Sequence, residues 1–199
     1  GLCQQDGHFL VMNKLIRDVL DLLRFRIQPL SHYVYPAWQP LAWIALIGVV
    51  GAASAYEFQA GFIARVGFFV VLNLLETLLL SFWLMGWWRW ILKRPIDGSL
   101  FPLVVLVSST QLLEPLTLLL PENLSMAFAF PLAVYGVVLL VVAVAQALNE
   151  RRALVVAAII GYLPVALALL HFAMNLALDW GWVSLEATTP VAGSDTTLF

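Results

Sequence analysis

The sequence predicts an all-α, polytopic membrane bundle of five transmembrane helices, preceded by a short amphipathic interfacial helix. Three observations predict it. Of the 199 residues, 62% are hydrophobic and only 11% charged, where soluble domains run at roughly 45–50% and about 25%. A soluble fold of this size exposes too much surface to hide so many apolar side chains. Five apolar runs are long enough to cross ~30 Å of hydrocarbon, which takes about 20 helical residues. Finally, if each run is a crossing, nine of the ten Lys and Arg residues fall on one side of the membrane.

The elements follow in chain order. Residues 1–11 are set apart as an uncertain N-terminal extension, since the chain opens on Gly1 and a Met stands at position 12. No short apolar run with a cleavage site precedes the first long run. An amphipathic helix is expected over 12–30. Leu15, Ile16, Val19, Leu22 and Leu23 recur on one side of it, with Asn13, Lys14, Arg17, Asp18, Asp21 and Arg24 on the other. It is too short and too charged to span. It therefore lies on the cytoplasmic leaflet or packs on a partner protein.

A five-helix transmembrane domain is expected over 38–180, with spans at about 38–56, 62–88, 100–120, 125–148 and 153–178. In hydrocarbon every backbone polar group must be satisfied internally, so runs this long are helices. Transmembrane strands would alternate in polarity, and Val137 to Ala145 does not. Pro36 and Pro40 flank the start of the first span. Pro95, Asp97 and Gly98 turn the second into the third, Pro121, Glu122 and Asn123 the third into the fourth, and Asn149 to Arg152 the fourth into the fifth. The tail 186–199, rich in Thr, Ser, Gly and Asp, is expected to be disordered.

Lys14, Arg17, Arg24, Arg26, Arg89, Lys93, Arg94, Arg151 and Arg152 share one side, and Arg65 alone lies opposite. This bias places the N-terminus in the cytoplasm and the C-terminus across the membrane. Gly48, Gly51, Ala52 and Ala55 make a small-residue stripe that lets the first span approach another helix closely. Trp83, Trp87, Trp88 and Trp90 at one end, with Trp180 and Trp182 at the other, read as interfacial anchors, with a tryptophan-lined ligand or lipid site as the alternative.

Polar residues inside the spans are costly and mark candidate sites. They are Asn73 and Glu76 on the second span, Gln111 and Glu114 on the third, and His171 and Asn175 on the fifth. Glu114 and His171 are expected at similar depth, and Pro115 removes a backbone donor beside Glu114. These groups read either as a proton relay or carboxylate–histidine metal site, or as interhelical hydrogen-bonding groups; the second reading is preferred. No metal motif, phosphate loop or nucleophile elbow occurs, so no cofactor and no catalysis are expected. The single Cys3 excludes an intramolecular disulfide and a Cys-based zinc site. A net charge of −2 gives no reason to expect nucleic acid.

The layout resembles the Yip1 family. The turn from Lys93 through Pro95, Gly98 and Phe101 into Val107, Ser108 and Ser109 is similar to the family's glycine-containing loop and the polar start of its third span. Tyr135 and Gly136, through Gln146 to Leu154, are similar to the fourth-to-fifth connection of its bacterial members. The resemblance implies a non-enzymatic scaffold or membrane-organising protein that acts through protein partners or self-association. Family members of eukaryotes engage lipidated small GTPases in vesicle trafficking; the N-terminal segment here is much shorter, and no functional residue carries over. The alternatives are an accessory subunit of a larger membrane complex, a small ion-coupled transporter using Glu76, Glu114 and His171, and an enzyme of lipid metabolism. Short loops point to a bacterial cytoplasmic (inner) membrane, with the C-terminus in the periplasm.

Overall fold

A computed structural model describes residues 5–55, 58–119 and 121–183, and all its regular elements are helical. Helix α1 runs over Gln5–Leu23, α2 over Trp38–Ser54, and α3 over Phe62–Gly86 with a π-helical continuation Trp87–Ile91. Helix α4, Phe101–Val107, passes into a 3-10 segment, Ser108–Leu119. Helix α5 covers Glu122–Ala147 and α6 covers Arg152–Asp179. The first helix thus begins inside the stretch set apart as an extension and ends at Leu23, short of residue 30. The tail 186–199 lies outside the described residues.

Among the described residues, three stretches are long and apolar enough to cross a membrane: Phe62–Ile91, Ala127–Ala147 and Arg152–Asp179. The other two expected spans differ for physical reasons. Helix α2 has 17 residues, about 25 Å at 1.5 Å per residue. Helix α4 has only seven before its hydrogen bonding tightens at Ser108. There Ser108 Oγ donates to the Val104 carbonyl at 3.0 Å and Thr110 Oγ1 to that of Val107 at 3.2 Å, competing with backbone N–H groups. Further on, Pro115 has no N–H to give. A 3-10 helix rises ~2.0 Å per residue, so α4 and its continuation together reach about 34 Å.

Two contacts fix the ends of the bundle. Arg94 after α3 pairs with Glu150 after α5, so these turns lie at one end, here called the basic end. At the other, the Gln59 N–H donates to the Trp182 carbonyl at 2.8 Å and Phe68 stacks edge-on against Trp182. Arg65 sits there too, donating through Nη1 to the Ala55 carbonyl at the end of α2, at 2.8 Å.

Helix α2 packs chiefly on α3, and the small-residue stripe explains how. A Cβ at Gly48 would lie 2.5 Å from Val70 Cγ2 and 2.8 Å from the Val70 Cα, so only glycine fits. Leu84, Trp88, Leu103, Leu106, Leu139 and Ala143 form the main core toward the basic end.

Helix α1 joins that core. Leu15, Val19 and Leu22 are 2%, 6% and 0% exposed, packed with residues of α4 and α5. The apolar stripe that was expected to lie on lipid, or on a partner, is turned onto the chain's own bundle. Its end is anchored as well. Phe25 takes a left-handed conformation, φ 58°, closed by N–H bonds from Phe25 to Leu22 and from Arg26 to Asp21. Such a φ is unfavourable for an aromatic residue. Edge-on packing of Phe25 on Tyr135, at 5.6 Å, and the Tyr135 hydroxyl donating to the Leu23 carbonyl hold it in place.

Three of the tryptophans at the basic end also depart from an interfacial belt. Trp88 is 1% exposed, Trp83 Nε1 donates to the Ala158 carbonyl at 2.9 Å, and Trp83 and Trp87 lie over Gly161. Packing between α3 and α6 claims Trp83 and Trp87, the core claims Trp88, and of the four only Trp90 stands well exposed, at 81%.

Candidate functional site

The polar residues of the spans fall into two groups. Between α2, α3 and the 3-10 segment lies a cavity of about 390 Å³, lined among others by Gly51, Ser54, Asn73, Gln111, Glu114 and Pro115. Gly51 leaves the room, and the tightened backbone after Ser108 turns Gln111 and Glu114 toward it. Asn73 reaches it from α3. Glu76, one turn deeper along the Phe69–Asn73 side of α3, is exposed and close enough to Glu114 for their charges to interact.

Hydrogen bonding shows which of these groups are free. Ser54 Oγ donates to the Val50 carbonyl at 3.0 Å and Asn73 Nδ2 to the Phe69 carbonyl at 2.9 Å. Thr77 and Ser81 below them donate to the carbonyls of Asn73 and Thr77, each at 2.7 Å. These donors are spent on their own helices. By contrast the side chains of Glu76, Gln111 and Glu114 make no hydrogen bond or ion pair among the described residues. The Glu76 carbonyl receives the Tyr162 hydroxyl at 3.4 Å, which fixes the backbone and leaves the carboxyl open.

His171 and Asn175 stand apart. Asn175 Nδ2 and His171 Nε2 lie 2.9 Å apart, both residues are exposed on α6, and neither lines the cavity. The expected partnership of Glu114 with His171 is therefore not formed: the rotation of α6 turns His171 away. No group of three metal-ligating side chains occurs among the described residues. Comparison with family models, curated proteins and solved structures returns no match. The sites rest on their own geometry.

A second polar cluster, not anticipated from the sequence, sits at the basic end. Asp18 is buried, and its carboxylate accepts from the Tyr35 hydroxyl and lies 3.1 Å from His32 Nε2. Lys14 Nζ donates to the His32 carbonyl at 3.0 Å and lies 5.0 Å from the centre of the Tyr35 ring. Burial, then the Asp18 carboxylate, pushes the Tyr35 hydroxyl well above its ordinary range. Burial does the same to Tyr33, more than offsetting the N–H bond it accepts from Gln28. Two signals pointed here. Lys14 and Asp18 are one turn apart on α1, and the link to α2, stiffened by Pro29 and Pro36, is short enough to fold back on that helix.

Proposed function

We propose that this chain is a non-enzymatic, five-span integral membrane protein that works by associating with other membrane proteins or with itself, as a scaffold or membrane-organising component. The resemblance to Yip1-type proteins is in keeping with this reading. The alternation of turns between the two ends, with nine basic residues at one, supports five crossings and a cytoplasmic N-terminus in a bacterial inner membrane.

One observation carries the functional reading: the carboxyls of Glu76 on α3 and Glu114 on the 3-10 segment are both exposed and make no hydrogen bond or ion pair among the described residues. An ionised carboxylate facing hydrocarbon is costly, and even a neutral one loses its hydrogen bonds there. A helix presented from outside supplies those bonds, and such interhelical pairs contribute roughly 0.6–2 kcal/mol each. A second reading has its own support. A carboxyl and two amides around a cavity, Glu114 with Asn73 and Gln111, also suit a proton or small cation, as an ion-coupled carrier would need.

Glutamine and leucine substitutions separate the two. Glu76→Gln and Glu114→Gln keep hydrogen-bonding capacity and volume but cannot titrate. Under the association reading they retain whatever cellular phenotype distinguishes the protein from its deletion, and Glu76→Leu with Glu114→Leu loses it. Loss in the glutamine variants, at unchanged abundance and thermal stability, overturns association in favour of ion-coupled transport.

A further inference from the structure

The cluster at the basic end borders a cavity of about 360 Å³, lined by Lys14, Arg17, Asp18, Asp21, Arg26 and His32, with Gln28 and Tyr33. That size falls within the roughly 300–1,000 Å³ of small-molecule sites. Five of the eight lining residues are already committed. Asp18 holds His32 and Tyr35, Lys14 holds the His32 carbonyl, and the Gln28 N–H is bonded to the Tyr33 hydroxyl at 3.0 Å. These contacts make a fixed floor that joins α1 to the segment before α2.

Three charged groups are left over. The side chains of Arg17, Arg26 and Asp21 make no ion pair and no hydrogen bond among the described residues, and all three line the cavity. Two free guanidinium groups call for an anion, and the planar donor fork of arginine suits phosphate. Asp21 would repel a simple anion from the same space. A ligand carrying both signs satisfies all three.

We propose that this cavity binds a phosphoethanolamine group, its phosphate between Arg17 and Arg26 and its primary ammonium on Asp21. The ammonium matters because it donates hydrogen bonds to a carboxylate, which the quaternary group of phosphocholine cannot do. The same chemistry has two sources: the headgroup of phosphatidylethanolamine in the adjacent leaflet, and a soluble phosphoethanolamine. The site uses none of the groups around Glu76 and Glu114 and stands or falls apart from them.

The test is binding to the purified full chain in detergent. Short-chain phosphatidylethanolamine, phosphatidylcholine and phosphatidylglycerol are compared by native mass spectrometry, and soluble phosphoethanolamine is added as competitor. Phosphatidylethanolamine should bind at least tenfold more tightly than the other two. Asp21→Asn should bring the lipids within about twofold of one another. Arg17→Gln with Arg26→Gln should weaken binding at least tenfold, while Arg151→Gln with Arg152→Gln, the same charge change at the same end, leaves it within twofold. Competition by soluble phosphoethanolamine assigns the soluble source, and its failure to compete assigns the lipid; both support the site. Equal binding of the three lipids, preference for phosphatidylglycerol, equal losses in the two arginine pairs, or no binding overturns it.

Discussion

Gly48→Ala should separate α2 from α3, and the size of the effect can be worked from the contact. The added Cβ would sit 2.5 Å from Val70 Cγ2 and 2.8 Å from the Val70 Cα and N. A side-chain tip could rotate away, but backbone atoms move only with their helix. Overpacking of this kind typically costs ~1–3 kcal/mol. Alanine also gains helix propensity, by about 1 kcal/mol, which would mask part of the loss. Gly67→Ala provides the correction, because a Cβ on Gly67 of α3 meets nothing within 4 Å and gains propensity alone. The difference between the two variants isolates the packing cost, about 1–3 kcal/mol. At ~2–4 °C per kcal/mol for a chain of this size, Gly48→Ala should melt roughly 2–12 °C below Gly67→Ala in the same detergent. Gly51→Ala, with its nearest contact at an ordinary 3.5 Å, should behave like Gly67→Ala. Equal melting temperatures for the Gly48 and Gly67 variants would refute the close approach.

Three further outcomes follow. Leu22→Ala, at a residue 0% exposed, should destabilise by ~2–5 kcal/mol and open the chain near Phe25 to protease. Ile16→Ala, on the 41% exposed side of α1, should stay within about 0.5 kcal/mol; equal effects would mean that α1 is not docked. Tyr35 is raised above its ordinary 10.0 by burial and by Asp18, so the unfolded chain ionises first as pH passes 10. Its stabilising contribution is therefore complete below pH 10 and declines above it. Wild type should lose thermal stability between pH 9.5 and 11 more steeply than Tyr35→Phe, and matching slopes would count against the Asp18 contact. Cysteines at Glu122 and Asn149 should label from opposite sides of the membrane, and labelling from one side would remove the five-span topology.

Much of this architecture was legible because bilayer constraints act on composition and length. Long apolar runs have no option but helix, and the Gly48–Ala55 stripe specified a close helix contact that the structure places against α3. Contacts depending on rotation about a helix axis were not legible. An amphipathic stripe states that Leu15, Val19 and Leu22 need an apolar neighbour, and says nothing of whether lipid or protein supplies it. Likewise the depth of His171 could be counted from the ends of its span, but not the side of α6 on which it stands. The preference of indoles for interfaces gave the wrong reading for Trp88, because burial in the main core outweighed it. The 3-10 segment was foreshadowed by Pro115, though its early start lies with the hydroxyls at Ser108 and Thr110. Asp18, His32 and Tyr35 share no motif; a short connection between α1 and α2 brings them together.

The association reading is tested most directly by counting chains in an assembly taken from the membrane without detergent, in polymer-bounded nanodiscs. Wild type should occur together with at least one further polypeptide, in fixed stoichiometry. Glu76→Gln with Glu114→Gln should preserve that assembly, since the amides still hydrogen-bond, and the paired leucine variant should yield single chains of wild-type stability. A wild-type protein found only as a single chain, or a leucine variant still fully assembled, would contradict it.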